Sequence, residues 1–182
     1  MAVKTFTSGE VLTSSDTNTY LANSGLVYVT GTTGTATAAI NVNDCFSATY
    51  DNYRIVISNV TADATRSMYL RLRVSGTDSA ANYYWGARYS LFAAGSADVN
   101  GNNVSYFLAG TVSTAPKSGG SFDVMNPFDT VHTTFMGTAA NFDAAWWIGG
   151  VHQVNTSYTG FSLLPVAGTL TATVRVYGYR EA

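Results

Sequence analysis

The sequence predicts an all-β chain of antiparallel type, a sandwich or barrel, preceded by a short helical leader. Three observations carry that prediction. From Gly25 onward, short apolar-rich stretches recur at regular spacing between clusters of Gly, Asn, Asp and Ser. Three of these stretches alternate cleanly between apolar and polar residues. No comparably long segment shows a helical period. A chain of 182 residues fits one domain, and at that size roughly 70% of the unfolded surface can be buried. Proline is scarce, with 3 residues, which leaves central strands free to pair.

The leader comes first. Thr13-Ser14-Ser15-Asp16 has a helix-start pattern, with Thr13 as cap and an acidic residue in the first turn. Thr17 to Asn23 then make two turns that stop near Asn23-Ser24-Gly25. A helix this short melts in isolation, so Val11, Leu12, Tyr20 and Leu21 need a surface to pack on. That surface is either this domain or a neighbouring chain. The expected strands are 26–30, 36–42, 53–59, 66–74, 82–92, 103–114, 120–126, 130–137, 143–151, 158–163 and 168–178. In Arg66–Val74, Met68, Leu70, Leu72 and Val74 oppose Tyr69, Arg71 and Arg73. In Asn82–Phe92, Tyr83, Trp85, Ala87, Tyr89 and Leu91 oppose Tyr84, Gly86, Arg88 and Ser90. In Thr169–Tyr177, Leu170, Ala172, Val174 and Val176 oppose Thr169, Thr171, Thr173, Arg175 and Tyr177. Each strand thus has one dry and one wet face. No 20–50-residue repeat supports a propeller or solenoid.

Composition narrows the function classes. Charged residues make up 11% of the chain against 46% hydrophobic, less than half the usual charged share. Solubility rests on Ser, Thr, Asn and Gly, a surface that desolvates at low cost when a partner covers it. That fits an assembled particle, and it fits an ordinary neutral β-protein equally. Net charge is −2, with 9 Lys and Arg and no basic run, so nucleic acid is not an expected partner. Met1 to Ser8 has no apolar core, so no signal peptide is expected. No stretch approaches 18 apolar residues, so membrane insertion is not expected either. Cys45, the single cysteine, reads as a small buried residue inside a strand.

Motifs for catalysis are nearly absent: no GxSxG, Walker loop, HExxH or paired CxxC. His132, in the strand Thr130–Gly137, and His152 could meet across strands. With Asp129 or Asp143 they could make a zinc site, but the set has no recognisable metal-ligand spacing, and satisfied or solvent-facing histidines are the expected reading. The only glutamates are Glu10 and Glu181. Asp44, Asp51, Asp63, Asp78, Asp98 and Asp129 sit in turn-like contexts, where Asp bonds its own backbone. Nothing near Cys45 would activate it as a nucleophile. Asp98 to Asn103 is oxygen-rich but lacks the closing Glu of a calcium loop, and reads as a turn. Sequons at Asn59, Asn103 and Asn155 are expected by chance in so Ser/Thr-rich a chain and imply no glycan. The chain is therefore read as non-enzymatic, without cofactor or metal.

Aromatic residues, at 13%, are the remaining feature. Trp146 and Trp147 are adjacent, so in a strand they face opposite ways. Trp146, with Ala144 and Ile148, belongs to the core, as do Tyr83 and Trp85. Trp147 is left exposed or under a partner, and Tyr69, Tyr84 and Tyr177 also lie on wet faces. These four are the candidate contacts for a partner or a glycan.

The leader, Phe6-Thr7-Ser8-Gly9-Glu10-Val11-Leu12-Thr13 through Asn18-Thr19-Tyr20-Leu21, resembles the opening of many tailed-bacteriophage structural proteins, where F-T-x-G-x-x-L-T-x-x-x-x-N-x-Y-L precedes a β-rich body. Tyr50 to Ile57 is similar to the first long strand of such bodies, and Thr171 to Tyr179 to their closing strand. Together these stretches cover less than a quarter of the chain. The resemblance implies a virion component of minor tail, short-fibre, spike or head-decoration type, made in the host cytoplasm. It implies a homotrimer whose residues 1–30 anchor or oligomerise, and a jelly-roll-like antiparallel β-sandwich over 31–182 that faces outward. Other virion proteins would be its partners. Phe6, Val11, Leu12, Tyr20 and Leu21 are then the anchor set; burying each is worth roughly 1.5–3 kcal/mol, enough to order a helix that fails alone. Two rivals remain: a carbohydrate-binding module reading a host surface glycan, and a hydrolase with two carboxylates within about 10 Å.

Overall fold

Alternation of apolar and polar residues becomes, in space, strands that each bury one face. The computed structural model describes residues 7–11, 13–16, 25–115 and 117–180. Among them are thirteen strands: β1 (Leu26–Thr37), β2 (Ile40–Val42), β3 (Asn52–Ala62), β4 (Arg66–Val74), β5 (Thr77–Asp78), β6 (Tyr83–Leu91), β7 (Gly95–Val104), β8 (Phe107–Val112), β9 (Ser118–Met125), β10 (Thr133–Ala140), β11 (Ala144–His152), β12 (Gly160–Pro165) and β13 (Leu170–Tyr179). The chain is all-β and its strand pairs are antiparallel. Eight strands form one sheet in the order β1-β13-β3-β9-β10-β11-β6-β7. The second sheet runs β2-β12-β4-β5, with β8 also paired to β4.

Within this arrangement lies a smaller order. Strands β1-β13-β3-β9 are contiguous in the first sheet, and β2-β12-β4-β8 in the second. The chain feeds the two sheets by repeated crossing. Two additions widen the first sheet on one side only: β6 and β7, from the stretch between β4 and β8, and β10 and β11, from the stretch between β9 and β12.

The two sheets share one core. Phe107 of β8 stacks on Phe135 of β10 at 4.7 Å between ring centroids, and Phe135 on Phe122 of β9 at 4.9 Å. Tyr83 meets Phe107 edge-on at 4.8 Å, the geometry that the ring quadrupole favours. Its hydroxyl is satisfied at depth, accepting from the Leu72 amide at 2.9 Å and donating to the Ser79 carbonyl at 3.1 Å. Tyr53 is held the same way, by the backbone of Ser47. Cys45 is buried, as expected, but lies between β2 and β3 and not inside a strand. Burial pushes its thiol up to about 12, which keeps it protonated and inert.

Several expectations are corrected. The expected strand 103–114 is two strands: β7 ends at Val104 in the first sheet and β8 begins at Phe107 in the second. Asn103, with a positive φ of 52°, marks the crossing. Likewise 36–42 divides after Thr37, where β1 ends, with β2 beginning at Ile40; Ala36, just before the passage, has a positive φ of 47°. Asp98 to Asn103, read as a turn, belongs to β7. Arg73, placed on a wet face, is buried at 9% exposure. It contacts Asp78, Asn41, Asn43 and the Gly76 carbonyl, and Ser162 of β12 donates to Asp78 at 2.8 Å. Trp85 is half-buried against the core, over Gly101, where an added Cβ would meet the indole nitrogen at 2.4 Å. His132 precedes β10 and stands exposed.

The leader is described only in part. Thr7 to Glu10 form a turn, with the Glu10 amide donating to the Thr7 carbonyl and Gly9 at φ 88°, a conformation that glycine adopts without strain. Ser14–Asp16 make a single helical turn. The helix expected over 17–23 lies outside the described residues, as do Phe6, Leu12, Tyr20 and Leu21. Leu26 to Thr30, expected as a strand and also grouped with the anchoring segment 1–30, are strand paired with β13. Among the described residues no helix is long and apolar enough to cross a membrane.

Candidate functional site

Residues opposite one another on neighbouring strands share a face, so the register writes out the outer surface of the eight-stranded sheet in rows. One row reads Gly31, Arg175, Val56, Ser121, Thr138, Trp147, Arg88 and Asp98 from β1 to β7. The row beside it reads Tyr28, Tyr177, Arg54, Asp123, Met136, Gly149, Gly86 and Asn100. On the other side of Trp147 lie Gly119, Ala140, Ala145, Ser90 and Ser96. Trp147 is 52% exposed, while Trp146 points inward and stacks on Tyr89 at 4.6 Å.

Small residues flank the indole on both sides. Gly149 and Gly86 have nothing within 4 Å of where a Cβ would stand. Two open grooves of about 460 Å³ result, both bordered by Trp147 and Thr138. One is floored by Gly119, Gly120, Ala140 and Ala145, the other by Gly137 and Gly149 beside Met136 and Asp123.

The charges beside Trp147 on this face are matched. Arg54 grips Asp123 through two bonds of 2.8 and 2.7 Å, and the Tyr179 hydroxyl donates to Asp123 at 2.6 Å. The Arg54 guanidinium and the Tyr179 hydroxyl hold the Asp123 carboxyl below the usual range. Partial burial, reinforced by that hydrogen bond and the carboxylate charge, pushes Tyr179 up to about 12. Arg88 reaches Asp98 at 3.4 Å and Ser96 at 2.8 Å.

The four candidate contact residues do not form one site. Tyr84 and Trp147 share the outer face on adjacent strands, with Tyr84 opposite Val151. Tyr177 lies on that face but on β13, edge-on to Tyr28 at 5.7 Å. Tyr69 is on the other sheet and stacks on Tyr106 at 3.5 Å, so one side of its ring is covered. Of the anchor set, Val11 is described, and it is 78% exposed. The sequence reading missed Met136, Thr138, Gly86, Gly149 and the Arg54–Asp123–Tyr179 group; the alternation within β10 and β11 shows which way they face, but not what they stand beside.

Several of the residues weighed for chemistry have structural partners. His152 is buried on β11. Its Nε2 lies 3.0 Å from the Ala81 carbonyl and 3.1 Å from the Ser79 hydroxyl, and its Nδ1 3.3 Å from the Tyr158 hydroxyl. A neutral ring with the proton on Nε2 satisfies these contacts. Burial, first, holds its pKa below the ordinary histidine value. Asp63, Asp78, Asp98 and Asp123 each face an arginine. Among the described residues no group of three His, Cys, Asp or Glu is placed to hold a metal ion. No family model matches this sequence, and no curated protein matches it.

Proposed function

We propose that this chain is a non-enzymatic structural component of a phage virion, a capsid decoration or cement protein, spike or short fibre. It assembles as a homotrimer through its N-terminal segment and displays a β-sandwich of jelly-roll type. The jelly-roll reading rests on the order β1-β13-β3-β9 against β2-β12-β4-β8, with the chain alternating between sheets as in the double-sheet folds of capsid and lectin domains. The observation that carries the assembly reading is the exposure of the leader. Residues 7–11 and 13–15 stand in solvent, in front of a body whose core is already filled from two sheets. An apolar leader residue such as Val11, exposed on the single chain, loses water when another molecule covers it.

The test is a chain beginning at Gly25. It keeps the β-sheet spectrum of the full chain, falls from trimer to monomer in native mass measurement, and no longer joins the particle. Undiminished trimer mass and incorporation would refute the anchor. A second reading is favoured by one observation, the half-exposed Trp147 indole between two grooves: the displayed body is a carbohydrate-binding, receptor-recognising module.

A further inference from the structure

We propose that the outer face of the eight-stranded sheet holds a neutral oligosaccharide, with one sugar ring stacked on the Trp147 indole and the chain lying in the grooves beside it. This deepens the second reading and does not depend on the anchor.

The case begins with the shape of the surface. A pyranose has an apolar C–H face and a rim of hydroxyls, so it needs a flat π surface with clearance for a ring and polar groups around it. Trp147 supplies the π surface. The clearance comes from the neighbours on the same face, along β11 and diagonally across it: Ala145 and Ala140 on one side, Gly149 and Gly86 on the other. Grooves of about 460 Å³ on each side fall within the size of small-molecule sites, yet they are open along the sheet, as a chain ligand requires. Hydroxyl partners stand at the edge of the ring, with Thr138 and Ser121 in line with it on one side and Arg88 on the other.

Charge selects among glycans. The charged side chains beside the grooves are arranged as ion pairs, Arg54 with Asp123 and Arg88 with Asp98. An acidic sugar would have to break one of them to gain a partner, whereas a neutral one uses them as hydrogen-bond donors and acceptors. A second copy of the chain is a poorer occupant, because the core of a protein interface is built of contiguous apolar and aromatic residues. Here the indole rises from glycine, alanine and hydroxyl side chains, and Met136 is the one other large exposed apolar side chain lining its grooves.

The experiment titrates the full chain with cellohexaose, maltohexaose and chitohexaose, following tryptophan fluorescence and heat, up to about 10 mM. At least one binds saturably. Trp147→Ala then weakens it by at least about tenfold, and Trp147→Tyr restores part of the loss. Gly149→Val, whose added side chain enters open space in the free protein, keeps the thermal midpoint and lowers the affinity. Binding that all three variants leave intact overturns this site while the carbohydrate-binding reading stands. No saturable binding of any hexaose overturns both. A concentration-dependent dimer abolished by Trp147→Ala assigns the face to a second copy and overturns the proposal.

Discussion

A buried histidine shows how a single residue couples this fold to pH. His152 is neutral in the folded protein, and its pKa there is depressed below the unfolded value of about 6.5. Unfolding therefore takes up a proton between those two values, and stability rises with pH across that window. The contribution is complete above about 6.5 and is lost as pH falls through the folded pKa. Urea midpoints measured from pH 8 to pH 5 decline on the acid side, and His152→Gln flattens that slope. The depressed pKa of Asp123 acts at lower pH, below the usual carboxylate range. Trp147 was legible at this scale, since two adjacent tryptophans in a strand cannot both be buried. Arg73 was not: alternation gives its side of β4, but burial comes from β2, β5 and β12 closing around it.

At the scale of elements, that arginine ties short strands to long ones. β5 has two residues and β2 has three, too few ladder bonds to hold by themselves. Arg73 of β4 contacts Asp78 of β5 and Asn41 of β2, and Asp78 accepts from Ser162 of β12. Arg73→Ala leaves a carboxylate without its partner and costs about 3 kcal/mol, read as a fall in the denaturant midpoint at unchanged slope. The bounds of β4 were legible, because its buried face is continuous from Met68 to Leu72, although Val74, expected on that face, is exposed. β7 was not. It is an edge strand exposed at nearly every position, so it has no dry face and no alternation to read, and its Asn and Gly content imitates a turn. The division of 103–114 was hidden for a related reason: a crossing between sheets leaves the hydrophobic pattern unbroken on both sides.

For the whole molecule, the Phe122, Phe135 and Phe107 stack joins three strands from both sheets. Removing its end ring by Phe107→Ala costs about 3–5 kcal/mol. Because one core serves both sheets, unfolding of this variant remains a single transition, with near-UV and far-UV signals falling together. The all-β class and the antiparallel pairing were legible from spacing and alternation. Strand order was not, since the register that lines up Ser121, Thr138, Trp147 and Arg88 brings together residues up to 59 positions apart (147 minus 88).

The strands that widen the first sheet have a consequence for engineering. Trp147, Thr138, Gly149, Gly86, Arg88 and Asp98 all lie on β6, β7, β10 and β11, and of the eight strands that weave between the sheets only β9 reaches the grooves, through Gly119, Gly120, Ser121 and Asp123. The molecule is thus divided into a frame and a pair of exchangeable cassettes, the hairpins 83–104 and 133–152. Replacing the outward residues of those hairpins would rewrite the proposed recognition surface and leave the frame's own folding instructions untouched.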